Sequence, residues 1–226
     1  MACPSLMNLL KEEVVESKMP KKKTYGLALE KAKQDLWGRD PMMAAALSGA
    51  IYEKLTASKG RFKLRFWGEE YVIDYPEASV REEKSGQEPS TFIQILILHY
   101  LINADGTPSA DNWISFRELP GGRGYYPAFE QQASQPLARA FGHDAEGFIK
   151  AAEALGGERL TFGSASFLFR IFPRQWVAVV LDMADEEFPA WVNILFDGTA
   201  SHYLPTEDWA VVGELVSSRL LQVAGR

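Results

Sequence analysis

The sequence predicts an α+β fold, with antiparallel sheet in two meander blocks packed against several helices. Three observations carry this. Leu27, Leu29, Ala32 and Leu36 recur at helical spacing. The period then changes to two, where Phe62, Leu64 and Phe66 alternate with Arg61, Lys63 and Arg65. Finally, helical and extended patterns come in blocks, which favours antiparallel pairing over alternating βαβ units.

Residues 1–24 are expected to be a poorly ordered N-terminal segment, and 25–226 a single α+β domain. The first helix spans 25–37 and stops at Gly38. Asp40-Pro41 starts a second, with Asp40 as N-cap, expected to continue through Leu55. Strands follow around Phe62–Phe66 and Tyr71–Tyr75, with a third suggested by Ala78 and Val80. Ser90 caps a buried helix over 91–104. A short strand at Trp113 leads into a glycine loop, then a helix over 125–141 bent before Pro136, then another over 144–155. Strands are expected at 160–162, 166–172, 175–181 and 191–196, and a last helix at 207–221 capped by Thr206.

A net charge of −6 and a pI near 5.2 count against binding to a phosphate backbone, which needs clustered Lys and Arg. The basic run Lys21-Lys22-Lys23 reads as a solvated tether. Cys3 is the sole cysteine, so an intramolecular disulfide and a cysteine-only metal cluster from this chain are excluded. The start lacks the apolar stretch of a signal peptide, because Lys11, Glu12 and Glu13 interrupt it. The longest apolar run, 92–101, contains Gln94 and His99 and is too short to span a bilayer. A cytoplasmic location without membrane or nucleic-acid partners is therefore expected.

Two stretches carry candidate chemistry. Pro120-Gly121-Gly122-Arg123-Gly124 opens a helix, where exposed backbone N–H groups and a guanidinium can hold an anion. It lacks the P-loop and dinucleotide patterns, and a plain turn is the commoner outcome for such a segment. Asp185, Glu186, Glu187 and Asp197 are candidate ligands for a hard cation, although acidic residues between apolar strands more often form a solvated turn. His99, on an apolar helix, reads either as a hydrogen-bonded core residue or as a ligand in a pocket. Trp113, Phe116, Tyr125, Tyr126 and Phe129 gather around the glycine loop; most such aromatics belong to cores, but exposed ones can stack on a flat ligand.

At Leu98-His99-Tyr100-Leu101, at Trp113 through Gly122, at Phe172-Pro173-Arg174, at Asp185 through Pro189, at Leu195-Phe196-Asp197 and at Tyr203 through Asp208, the chain resembles the domain-of-unknown-function family numbered 3786. The resemblance runs in order over residues 25–221 and implies a shared fold and site region in an anaerobe, with no assigned reaction. The chain lacks the cysteine-rich iron–sulfur segment of some members. It also has Gly163-Ser164 and Leu181-Asp182 where the pattern leads one to expect Gly-Asp and Leu-Trp.

The leading functional expectation is a ligand-binding or carrier protein. Its pocket would lie between the His99 helix, the segment 113–126 and the acidic hairpin, with His99, Trp113, Arg117, Gly121, Gly122, Arg123 and Tyr125 touching a flat or anionic small molecule. The link to anaerobes makes a tetrapyrrole, haem or corrinoid, the specific form of that expectation. The alternatives are a metal-assisted hydrolase using Asp185, Glu186, Glu187 and Asp197, and a non-catalytic assembly partner.

Overall fold

A computed structural model describes residues 22–226, and the chain divides into two compact units, 1–103 and 104–226. Expectations for the segment before residue 22, including Cys3, lie outside the described residues.

The first unit holds α1 (Lys22–Trp37), α2 (Pro41–Ser48), a four-stranded antiparallel sheet and α3 (Thr91–Asn103). The sheet is a meander of β1 (Ile51–Lys54), β2 (Gly60–Phe66), β3 (Glu69–Tyr75) and β4 (Ser79–Glu82). Asp40 caps α2 as its position before Pro41 requires, accepting from the Met43 N–H at 2.8 Å. The helix is shorter than its apolar pattern predicts. Gly49 takes the left-handed conformation (φ 76°) and ends it, and Ile51–Lys54 become an edge strand paired to β2. Alternation along β2 and β3 matches the burial. Phe62, Leu64 and Ile73 face the core, while Arg61 and Arg65 stand opposite Asp74 and Glu70 and pair with them on the wet face. Tyr100 on α3 donates to the Ser48 carbonyl at 2.8 Å, tying that helix to the end of α2.

The second unit is built on a five-stranded antiparallel sheet in the order β5-β9-β8-β7-β6. Its strands are β5 (Trp113–Ser115), β6 (Glu158–Leu160), β7 (Ala165–Phe172), β8 (Gln175–Asp182) and β9 (Trp191–Asp197). The last four form a meander, and β5, from earlier in the chain, adds to the outer edge of β9. β6 lies two residues before the apolar cluster that predicts it, because Phe162 and Gly163 form the turn into β7. The helices are α4 (Gly122–Phe129), α5 (Gln135–Phe141), α6 (Ala145–Ala154) and α7 (Thr206–Val223).

The expected bend before Pro136 is a widened π turn at Glu130–Ser134, where the Gln135 N–H reaches the Glu130 carbonyl. Pro136 has no N–H to continue the ordinary ladder, so the change of register falls just before it. Thr206 does not cap α7. Its hydroxyl instead donates to the Pro120 carbonyl at 2.7 Å, fastening the start of α7 to the glycine loop. No helix among the described residues is long and apolar enough to cross a membrane.

Candidate functional site

The glycine loop is assembled on an aromatic base. After β5 the chain makes a 3-10 turn, Phe116–Glu118, and the buried Phe116 ring stacks on Phe129 at 4.2 Å with an interplanar angle of 8°. Phe196 meets both rings, and Trp209 of α7 packs edge-on to Phe196 at 5.2 Å. Leu119 is buried beneath the turn. Gly121 adopts φ 76°, reversing the chain so that α4 starts at once. Gly122 is needed for a different reason: a Cβ there would lie 2.0 Å from the Phe116 carbonyl oxygen.

This packing presents an uncapped helix start. The Gly122 N–H donates to the Leu119 carbonyl at 2.8 Å, while Gly121 has no side chain to accept from the N–H groups of Arg123 and Gly124. Arg117, Glu118, Leu119, Gly121 and Arg123 line an open depression of about 410 Å³ around that helix start. Neither Arg117 nor Arg123 is in an ion pair with any described residue. The Arg117 guanidinium rests over the Tyr126 ring, 4.0 Å from its centroid, which fixes its position. The one carboxylate on the rim is otherwise engaged: Glu118 accepts from the Ser115 N–H at 2.7 Å and hydroxyl at 2.8 Å. Those bonds hold its carboxyl below the usual range. The site keeps a net positive charge, two guanidiniums and a helix N-terminus without a side-chain cap against the one carboxylate of Glu118.

Tyr125, on the first turn of α4, does not line this depression; it is half-exposed, its ring 6.1 Å from that of Phe116. Burial and then the facing Glu214 push its hydroxyl up, and burial alone pushes Glu214 up. Glu214 was not legible as a site neighbour from sequence, because nothing in the α7 pattern ties it to residue 125. Trp113 is half-buried on β5, opposite Asp197. Of the expected ligand-binding residues, Arg117, Gly121 and Arg123 line one depression in the second unit, while Gly122 and Tyr125 follow on α4 without lining it. His99 is half-buried on α3 and belongs to the first unit.

The four expected metal ligands do not form one set. Asp185, Glu186 and Glu187 are exposed in the turn before β9, where Asp185 accepts from the Glu187 and Phe188 N–H groups at 2.8 and 2.7 Å. Asp197 lies at the opposite end of β9, six residues beyond Trp191, or roughly 20 Å along an extended strand. No group of three or more His, Cys, Asp or Glu side chains among the described residues is placed to hold a metal ion. The proximity in sequence was misleading because a hairpin strand separates its two ends by its full length.

Asp197 is instead the hub of a buried polar network. It is 2% exposed and accepts from the Thr199 N–H at 2.8 Å, the Thr199 hydroxyl at 2.6 Å, the Ala110 N–H at 3.3 Å and the Ser109 hydroxyl. Gln175 extends the network through Thr199 at 3.2 Å. Burial pushes the Asp197 carboxyl up, but these donors outweigh it and hold it below the ordinary range. The signal available in sequence was Asp197-Gly198-Thr199, an Asp that bonds the backbone two residues on.

A second pair closes the same loop from outside. Asp105 meets His202 Nδ1 at 2.6 Å, and the His202 bond, followed by Thr107, lowers its carboxyl to about 2. The folded state therefore binds fewer protons than the unfolded chain between about pH 4 and pH 2. The pair's stabilisation is present above about pH 4 and is lost as pH falls toward 2. Carboxyl NMR titration of Asp105 in His202→Ala is expected to move its midpoint up toward the ordinary aspartate value. An unmoved midpoint would mean that His202 does not hold it.

These features define an α+β protein with two antiparallel sheets and a cationic glycine-loop depression on the second unit. The chain belongs to the family described as Domain of unknown function (DUF3786), whose sequence profile matches residues 40–219. No curated protein and no solved structure matches the chain.

Proposed function

We propose that the protein is a carrier or binder of a small anionic ligand, held at the glycine-loop depression of the second unit. The observation that carries this reading is the convergence of Arg117 and Arg123, neither paired to a described carboxylate, on the uncapped start of α4. A phosphate or carboxylate group there receives two charge-assisted contacts and the backbone N–H groups of Arg123 and Gly124. The aromatic rings nearby favour the anionic over the flat form of the ligand. Phe116 and Phe129 stack on each other, and one face of Tyr126 is covered by Arg117. A tetrapyrrole remains the narrower form of the proposal, its carboxylates meeting the same guanidiniums. The reading includes a cytoplasmic protein of an anaerobe without nucleic-acid partners, supported by the net charge of −6, the lone cysteine and the family resemblance.

Calorimetric titration tests it with inorganic pyrophosphate, citrate, haemin and cobalamin as probes. Saturable binding of an anionic probe is expected, weakened about 10-fold or more in each of Arg117→Ala and Arg123→Ala, the loss of one charge-assisted bond. Binding of haemin with a visible absorbance band selects the tetrapyrrole form. Absence of binding by every probe, or equal affinity in both variants, refutes the proposal.

A further inference from the structure

A second surface lies at the other end of the five-stranded sheet from the Asp197 network. The turn into β7 and the turn between β8 and β9 meet there. The Ser164 N–H donates to the Leu181 carbonyl at 2.8 Å, and the Met183 N–H to the Ser164 hydroxyl at 3.0 Å. These two turns carry four large apolar side chains that remain in solvent: Phe162, Met183, Phe188 and Trp191, the third of them 66% exposed. Such side chains scattered singly are ordinary on a protein surface, but four grouped on two bonded turns form a patch.

The turn between β8 and β9 is acidic. Asp182, Asp185, Glu186 and Glu187 lie at it, and none pairs with a Lys or Arg among the described residues. Between Arg174 and Arg219 the sequence contains eight carboxylates and no Lys or Arg. The turn is also held in shape, because Asp185 accepts from two backbone N–H groups and its own N–H bonds the Phe188 carbonyl at 3.0 Å. β5 pairs only with Leu195–Asp197, and β9 also packs against α5 and the π turn, with the Gly142 carbonyl at the end of α5 accepting from the Ala184 N–H at 3.1 Å.

We infer that this patch docks an extended segment of a partner protein in which cationic side chains alternate with apolar ones. Charge complementarity selects the cations, and the four exposed apolar side chains receive the apolar residues between them. This role is independent of anion binding at the glycine loop.

The test uses the whole chain and three synthetic peptides, one alternating lysine with leucine, one lysine with serine and one glutamate with leucine. The lysine–leucine peptide is expected to bind, the lysine–serine peptide at least about tenfold more weakly, and the glutamate–leucine peptide not at all. Glu186→Lys combined with Glu187→Lys, and Phe188→Ala combined with Trp191→Ala, change exposed side chains and leave the fold intact, as circular dichroism checks. Each pair is expected to weaken the lysine–leucine peptide about tenfold or more, the charge reversal losing most of its effect at high salt. Equal binding of the lysine–serine peptide, undiminished binding in both variants, or self-association through this patch in sedimentation would overturn the inference.

Discussion

Asp197→Ala is expected to lower the stability of the protein by about 3–5 kcal/mol, a loss readable in urea unfolding as a large fall in midpoint. The magnitude follows from what the carboxylate satisfies. Four donors, two from Thr199 and one each from Ala110 and Ser109, converge on a group that is 2% exposed, and alanine leaves them without an acceptor. Asp197→Asn keeps the shape but presents an amide NH2 to one of those donors, so an intermediate loss is expected. The control is Glu187→Ala in the exposed acidic turn, which is expected to change stability by no more than about 0.5 kcal/mol. Because the donors hold the Asp197 carboxyl below its ordinary range, its contribution is present above about pH 4 and declines as pH falls through the folded value. A small effect of Asp197→Ala at neutral pH would contradict the network.

Phe116→Ala is expected to cost about 3–5 kcal/mol, the range for removing a buried phenyl group. The ring is 1% exposed, stacked on Phe129 and in contact with Phe196, and its backbone carbonyl is the surface against which Gly122 is packed. Its loss reaches beyond stability. The turn that aims Arg117 and opens α4 rests on this ring, so anion affinity is expected to fall while the fold survives at low temperature. Phe116→Leu is expected to restore most of the affinity with a smaller stability loss, since it refills much of the volume. Full anion affinity in a folded Phe116→Ala protein would separate the aromatic base from the site.

Much of the architecture was legible because local chemistry and tertiary packing agree at the positions that define it. Asp40-Pro41 is a helix start by capping and by proline geometry, and the structure uses both. Arg61 and Arg65 alternate with apolar residues on β2, and their carboxylate partners stand opposite on β3. Where local pattern and tertiary pairing compete, pairing wins. Ile51–Lys54 continue the apolar face of α2 in projection, yet strand pairing with β2 captures them once Gly49 ends the helix. Thr206 has the chemistry of a cap but spends its hydroxyl on Pro120, a residue far off in sequence.

The site divides in the same way. The glycine loop was visible because Gly121-Gly122-Arg123 has a backbone consequence that sequence states directly. The engagement of Glu118 was invisible, since its bonds with Ser115 depend on the 3-10 turn between them. Asp197 was visible as a carboxylate but not as the centre of a network, because Ser109, and Gln175 through Thr199, come to it only in the folded chain.

The measurement that bears most directly on the anion-binding proposal is the backbone amide spectrum of the protein during titration with inorganic pyrophosphate. Saturable shifts are predicted to concentrate on the N–H groups of Arg123 and Gly124, to share one midpoint, and to disappear in Arg117→Ala with Arg123→Ala. Shifts spread over the surface without saturation, or saturable shifts that leave Arg123 and Gly124 unmoved, would contradict it.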